Sequence, residues 1–350
     1  MIPIDGSHGE GGGQILRTAL SLSALTGRSV RVTDIRAGRP RPGLAAQHLA
    51  AVRAAADVCG ARIGGSRRGS LEVWFEPGSP RAGTYRFEVG TAGSACLVLQ
   101  TVVVPLAFAR GESAVTVTGG THVPWSPPFE FLAGVWAEAV RRFGIPVDVS
   151  LGRAGFYPRG GGEVRCRVGP ARPPLEPVRL TEPGRLLRVR GVAGTAGLPG
   201  HVGRRMAGAA REALASLGVP VEVEPRCLDA PSPGAYLVLV AECGAARLSA
   251  SALGERGKPA ERVGEEAAEE LRARLEAGSA VDPHLADQIL LPAALAGGTS
   301  EYTVCRITRH LATNAWVIGR ILPEARIWIE GSEGGPGRVV VEGAGWEPGR

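Results

Sequence analysis

Apolar residues recur along the chain in one repeated phrase: a stripe at helical spacing, a Gly or Pro turn, then a run alternating apolar with polar. It reads Ile15–Leu25 turning at Gly27 into Val30–Ile35, Leu49–Val58 turning at Gly60 into Ala61–Ile63, and Val102–Ala109 turning at Gly111 into Ala114–Thr118. Phe131–Phe143 turns at Gly144 into Val147–Val149, and Arg205–Leu217 turns at Gly218 into Val219–Val223. Late in the chain, Ala286–Leu295 leads to Tyr302–Cys305 and Ala315–Ile321 to Arg326–Ile329. Such dense alternation predicts repeated α/β units whose helices cover one side of a sheet. A dinucleotide-binding domain is the default rival. Against it, Gly9–Gly13 does not follow Gly-x-Gly-x-x-Gly, and no acidic residue closes a strand at the required distance.

A shift in composition interrupts the pattern. Gly169 to Gly184 is rich in Pro and Arg and reads as a linker. Beyond it, Leu186 to Leu275 carries its own strand-helix-strand succession and ends in the charged helix Ala260–Leu275. The expectation is an inserted small α/β domain over residues 185–275, within a repeated core of residues 1–184 and 276–350.

Composition narrows the chemistry. With 350 residues, 44% hydrophobic and 21% charged, the chain has the balance of a soluble protein of two domains. Lys and Arg number 40 against 34 acidic residues, and the formal charge of +6 favours an anionic partner such as nucleic acid, nucleotide or phosphate. Lys258 is the sole lysine, and Pro259 follows it in a polar run, so neither a Walker A loop nor a lysine-adenylate mechanism finds its residue. Cys59, Cys96, Cys166, Cys227, Cys243 and Cys305 form no Cys-x-x-Cys pair, which argues against zinc and for free thiols in a reducing cytosol. No basic leader and no run of about 18 apolar residues is present, so a cytoplasmic protein without a membrane span is expected.

Five segments could carry chemistry. Asp5–Arg17 holds a Gly-rich turn before a helix, where backbone N–H groups approach an anion and Glu10 is placed to ligate a metal beside phosphates. A tight structural turn with a solvated Glu10 reads equally well. Arg36–Gly43 sets Arg36, Arg39 and Arg41 in a loop stiffened by Pro and Gly, ahead of Gln47 and His48, a pattern suited to phosphate. Gly155–Glu163 joins a triple glycine to Phe156 and Tyr157, while Gly119–Pro128 is a second rigid loop; each fits a nucleobase platform or a plain structural bend. Finally, His310 in Arg309–Asn314 falls near a helix N-terminus, although His8, His48 and His122 also lie in candidate loops.

Together, Gly9–Arg17, Arg36–Pro40, Gln47-His48-Leu49, Tyr157–Glu163, Leu285-Ala286-Asp287-Gln288 and His310–Asn314 resemble the RNA 3′-terminal phosphate cyclases, in the same order and over essentially the whole chain. The resemblance implies repeated units of two helices on a four-stranded sheet, with a small inserted α/β domain. It also implies ATP-dependent conversion of an RNA 3′-phosphate to a 2′,3′-cyclic phosphate, with Mg²⁺ or Mn²⁺. By matching position, His310 is the expected nucleophile and accepts AMP; Arg17, Arg36 and Arg39 hold phosphates, with Gln47 and His48 beside them. Glu10 and Gln100 are expected at the metal, and Pro127, Phe131, Asp287 and Gln288 around the nucleoside. His284 stands where some members have tyrosine, so an imidazole is expected against adenine.

Two other readings compete. Non-catalytic relatives that bind RNA in ribosome maturation lack the histidine and parts of the phosphate site, whereas His310, Glu10, Arg17, Arg36 and Arg39 are all present here. Enolpyruvyl transferases share a repeat fold and would use the arginines, but leave His310, Thr313 and Asn314 without a role.

Overall fold

The computed structural model describes residues 1–348. The first unit runs β1 (Ile2–Asp5), α1 (Gly13–Thr26), β2 (Val30–Thr33), α2 (Ala46–Cys59), β3 (Arg62–Gly64) and β4 (Val73–Glu76). Its sheet has the order β1-β2-β4-β3, with β1 and β2 parallel and the other pairings antiparallel. A parallel pair needs a crossover, which α1 supplies. Both helices stop at glycine: Gly27 (φ 70°) and Gly60 (φ 64°) take the left-handed conformation and return their N–H groups to Ser23 and Ala56.

The second unit repeats this plan with β5 (Thr84–Glu88), α3 (Ala95–Ala107), β6 (Ser113–Gly119), α4 (Phe129–Phe131), α5 (Ala137–Arg142), β7 (Val147–Arg153) and β8 (Gly162–Val168). Its sheet order is β5-β6-β8-β7, and a π-helical turn at Leu132–Trp136 joins α4 to α5. Helix α3 starts seven residues before the Val102 that the apolar stripe predicts. Twelve of its residues are buried, so it has no polar face to produce a periodicity, and Ser94 marks its start by accepting from the Leu97 N–H.

A third unit opens with β9 (Arg179–Leu180) and is then interrupted by β10 (Leu186–Ala196), α6 (His201–Leu214), β11 (Val221–Cys227), β12 (Gly234–Cys243), β13 (Arg247–Leu253) and α7 (Ala260–Glu276). It resumes with α8 (Pro283–Gln288), α9 (Leu290–Leu295), β14 (Thr299–Val304), α10 (Arg309–Ile321), β15 (Arg326–Gly331) and β16 (Gly337–Glu342). Its sheet order, β9-β14-β16-β15, is again that of the first unit. The helix expected over Ala286–Leu295 is broken into α8 and α9, because Pro292 cannot donate to Gln288 and its ring crowds that carbonyl.

The interrupting segment forms its own sheet, β11-β10-β12-β13, backed by α6 and α7 over a separate core that includes Leu237, Leu239, Met206 and Leu271. Its two ends meet at one residue: the Thr303 hydroxyl donates to the Thr181 carbonyl at 2.9 Å and accepts from the Ala280 N–H at 3.0 Å. The other face of this sheet touches the second unit through Tyr236 and Val238, which pack with Ala154 and Phe156. The remaining three units share one continuous core.

Candidate active site

The β1–α1 turn meets the start of α10 across the first and third units. Gly9 adopts φ +56°, and a Cβ there would collide with the Thr313 hydroxyl. That hydroxyl accepts the Glu10 N–H at 3.0 Å. Deeper in, the Thr18 hydroxyl donates to Asn314 Oδ1 at 2.5 Å, and Asn314 Nδ2 donates to the Asp287 carbonyl at 2.5 Å. Helices α1, α8 and α10 are thereby locked together, with His310 in the first turn of α10. Thr313 and Asn314 had no role in the sequence reading beyond their place in the His310 motif; their spacing of one helical turn from His310 was the available signal.

His310 Nδ1 lies 3.8 Å from Glu10 Oε2, and the imidazole is 51% exposed. Partial burial, with Arg17, His284 and Arg39 nearby, pushes its pKa down to about 4, so at pH 7 the ring is neutral. Glu10 Oε1 is ion-paired with Arg39, whose guanidinium also donates to the Glu10 carbonyl at 3.1 Å. Glu10 Oε2 is, among the described residues, the one buried side-chain oxygen or nitrogen with no hydrogen-bond partner. An orphaned carboxylate oxygen close to His310 and Arg39 suits a hard cation, which is commonly held by one or two carboxylates plus substrate phosphates.

Arg17 and His48 lie together over the start of α1. A Cβ on Gly13 would meet His48 Nε2 at 2.4 Å and Arg17 Nη1 at 2.9 Å, so glycine is what lets both side chains close over the helix start. Arg17 donates to Gln14 Oε1 at 2.6 Å. Burial lowers its pKa to about 10, offset in part by Asp287, so it remains a cation. His48 Nδ1 accepts the Ala45 N–H at 3.1 Å, which leaves Nε2 to carry the ring proton. Burial, then the charges of Arg17 and Arg36, drives His48 down to about 3. Helix α1 has no side-chain cap on its first N–H groups, in contrast to α3, α8 and α10, capped by Ser94, Asp282 and Thr308. An open helix start beside an unpaired guanidinium is an arrangement that suits an anion.

The other expected residues lie around this centre in varying degree. Gln47 Oε1 accepts the Ser94 N–H at 2.9 Å, and the Ser126 hydroxyl donates to the Ser94 hydroxyl at 2.8 Å, which brings the Pro127 loop to the start of α3. Gln100 Nε2 donates to Gln288 Oε1 at 2.6 Å, tying α3 to α8. Asp287 is buried, and that burial pushes its carboxyl up to about 7 against the pull of Arg17. Arg36 folds back onto the Gly43 carbonyl at 2.8 Å, and His284 is exposed. Phe131 is only 3% exposed and packs into the core.

A groove of about 860 Å³ elsewhere, between the inserted sheet and α4, holds none of these residues. Three of its four lining arginines are ion-paired: Arg226 with Glu224, Arg190 with Glu242 and Arg247 with Glu138. No helix among the described residues is long and apolar enough to cross a membrane.

Known proteins bear out the family resemblance. The family model described as RNA 3′-terminal phosphate cyclase matches residues 8–326. A Methylococcus capsulatus protein named RNA 3′-terminal phosphate cyclase is 50% identical over 98% of this chain and 97% of its own. A protein of the same name from Methanopyrus kandleri is 47% identical over 99% of both chains, and one from Pyrococcus furiosus is 43% identical over 99% and 100%. The solved enolpyruvyl transferase NikO from Streptomyces tendae aligns at 18% identity over 61% of this chain and 38% of its own with a TM-score of 0.28, which lends nothing to the transferase reading. With a match this long and relatives this similar, the chain belongs to the RNA 3′-terminal phosphate cyclase family.

Proposed function

We propose that the protein uses ATP to close an RNA 3′-phosphate into a 2′,3′-cyclic phosphate, with His310 as the nucleophile. The observation that carries this reading is a neutral, half-exposed imidazole at the start of α10, beside Arg17, Arg39 and the open start of α1. A nucleophile must present a lone pair, and a ring with pKa near 4 does so at every physiological pH. With Nδ1 turned toward Glu10, Nε2 is the nitrogen that attacks the α-phosphorus of ATP. The P–O bond to pyrophosphate breaks, and a phosphoramidate to AMP forms on His310.

An oxygen of the RNA 3′-phosphate then attacks that phosphorus, the P–N bond breaks, and His310 is regenerated. Adenylation turns a poor electrophile into one with AMP as leaving group. The ribose 2′-hydroxyl, already adjacent, attacks the 3′-phosphorus and releases AMP, so positioning provides much of the rate. Arg17 neutralises charge that develops on phosphate oxygens, while Arg39, ion-paired with Glu10, stands beside it with Gln47 and His48. Glu10, with Gln100 alongside, fits Mg²⁺ or Mn²⁺, which when bound would neutralise phosphate charge and polarise the phosphorus under attack. Pro127, Gln288, Asp287 and His284 would border the nucleoside, with Phe131 behind them and Arg36 further along the phosphates. Residues 185–275 would act as an inserted domain outside this chemistry, and the six free thiols suit a cytoplasmic setting.

The test needs no RNA. Protein incubated with α-labelled ATP and metal is expected to acquire acid-labile label, and His310→Ala to acquire none. Undiminished labelling of His310→Ala moves the nucleophile elsewhere.

A further inference from the structure

We infer that Trp125 is a stacking platform for a nucleobase at the 3′ end of the RNA; this rests on the RNA reading above. Trp125 is 99% exposed, at the tip of the loop between β6 and α4. Its backbone lies at φ +63°, in the left-handed region that a bulky residue adopts only when the surroundings hold it there. Full hydration of the largest side chain on a strained backbone stabilises nothing within the chain. The arrangement makes sense when the ring's partner comes from outside.

The loop is built to hold that ring still. Pro124, Pro127 and Pro128 restrict it, and both its ends are anchored. Thr121 N–H donates to the Gly155 carbonyl at 2.9 Å, and the Thr121 hydroxyl accepts the Gly155 N–H at 2.9 Å. His122 is buried, 2.7 Å from Glu130 Oε2 and stacked on Tyr236 at 3.8 Å. The Tyr236 hydroxyl donates to the other Glu130 oxygen at 2.5 Å, so two chain segments fix the base of the loop. A pre-set ring loses little freedom when a base stacks on it.

Position selects the partner. Ser126, the next residue, is bonded to Ser94, and Ser94 to Gln47, the neighbour of His48. These bonds tie the loop that bears the ring to the start of α2, whose His48 lies with Arg17 over the start of α1. The Gly155–Gly161 loop, bonded to the base of the Trp125 loop through Thr121, presents Tyr157, 73% exposed, and Arg159, exposed and without a carboxylate partner among the described residues. Aromatic rings with an unpaired guanidinium, next to a phosphate site, match single-stranded RNA, whose bases stack with little regard to sequence. Such stacking also fits an enzyme that recognises an end rather than a sequence.

The test measures binding of a 3′-phosphorylated oligoribonucleotide, labelled at its 5′ end, by fluorescence anisotropy without ATP. Trp125→Gly accepts the positive φ, so the variant is expected to unfold at the wild-type temperature or above while binding RNA about tenfold more weakly. Trp125→Phe keeps a ring and is expected to stay within about threefold. An abasic sugar at one of the last two nucleotides should weaken the wild type but not Trp125→Gly. Labelling from α-labelled ATP should be equal in both proteins.

Unchanged RNA affinity in Trp125→Gly, or no loss from either abasic end in the wild type, overturns the inference. Equal loss of ATP labelling would assign the ring to adenine, and an altered mass in sedimentation would assign it to contact between copies; both also overturn it. If the wild type takes no label while the abasic pattern holds, the RNA-end site stands and the adenylation reading fails.

Discussion

In the inserted segment three arginines end against glutamates: Arg205 on Glu261 and Arg226 on Glu224 at 2.6 Å, Arg188 on Glu242 at 2.8 Å. In the first unit Arg17 and Arg36 end on neutral oxygens, the Gln14 side chain and the Gly43 carbonyl. The first unit also holds paired arginines, Arg28, Arg31, Arg39 and Arg62, so the same side chain closes a surface at some positions and leaves a net charge at others such as Arg17. An arginine already paired has its donors occupied and its field cancelled, so it offers little to an outside phosphate. One held by neutral acceptors is positioned yet still cationic, which is the state a phosphate site needs. Arginine is nearly the whole basic complement of the chain, so abundance alone did not distinguish the two regions.

The strongest way to break this contrast is to remove a charge from the first unit. Arg17→Ala should lower enzyme labelling from α-labelled ATP by roughly a hundredfold or more, with no recovery at raised metal. Glu10→Ala should also lose labelling but recover partly as Mg²⁺ or Mn²⁺ is raised, because excess ion offsets a weakened site. Identical metal dependence in the two variants would remove Glu10 as a ligand.

The next test removes the other region. Because Thr303 bonds both Thr181 and Ala280, a short linker can replace the segment between them. Loss of Tyr236 and Val238 from Phe156 should reduce stability by on the order of 3 kcal/mol, while labelling from ATP persists. A deletion that is folded by circular dichroism yet takes no label would contradict this division.

A smaller effect concerns acid. His48 has a folded pKa of about 3, well below the unfolded value of about 6.5. Between these values the unfolded chain binds the extra proton, so the stability it contributes is complete above about pH 6.5 and is lost as pH falls toward 3. The slope from this residue reaches at most about 1.4 kcal/mol per pH unit. His48→Gln should flatten the decline in denaturation midpoint between pH 6 and 4, by about that slope; an unchanged profile would mean that His48 protonates freely in the folded protein. The smallest effect belongs to the paired set: Arg205→Ala should leave both the unfolding temperature and ATP labelling at wild-type values, since Arg205 lies on the surface. A clear loss of labelling there would dissolve the contrast.

Local pattern was enough to find the repeated α/β units and the family resemblance, because periodicity and turn chemistry act over a few residues. It faltered at α3, where burial on all sides erased the stripe, and at the α8–α9 break, where the apolar run continues across Pro292 and the proline's effect was passed over. The candidate site was legible as a set of motifs, not as an arrangement. Glu10 and Thr313 are 303 positions apart, and only the packing of α1 on α10 places one over the other. The unpartnered Glu10 oxygen, the depressed His310 and His48, and the exposed ring of Trp125 likewise depend on which chain segments surround them. Sequence determined which residues were available and the secondary structure that bears them; tertiary structure decided which of them are buried, paired or left open, because desolvation and charge pairing are set by neighbours distant along the chain.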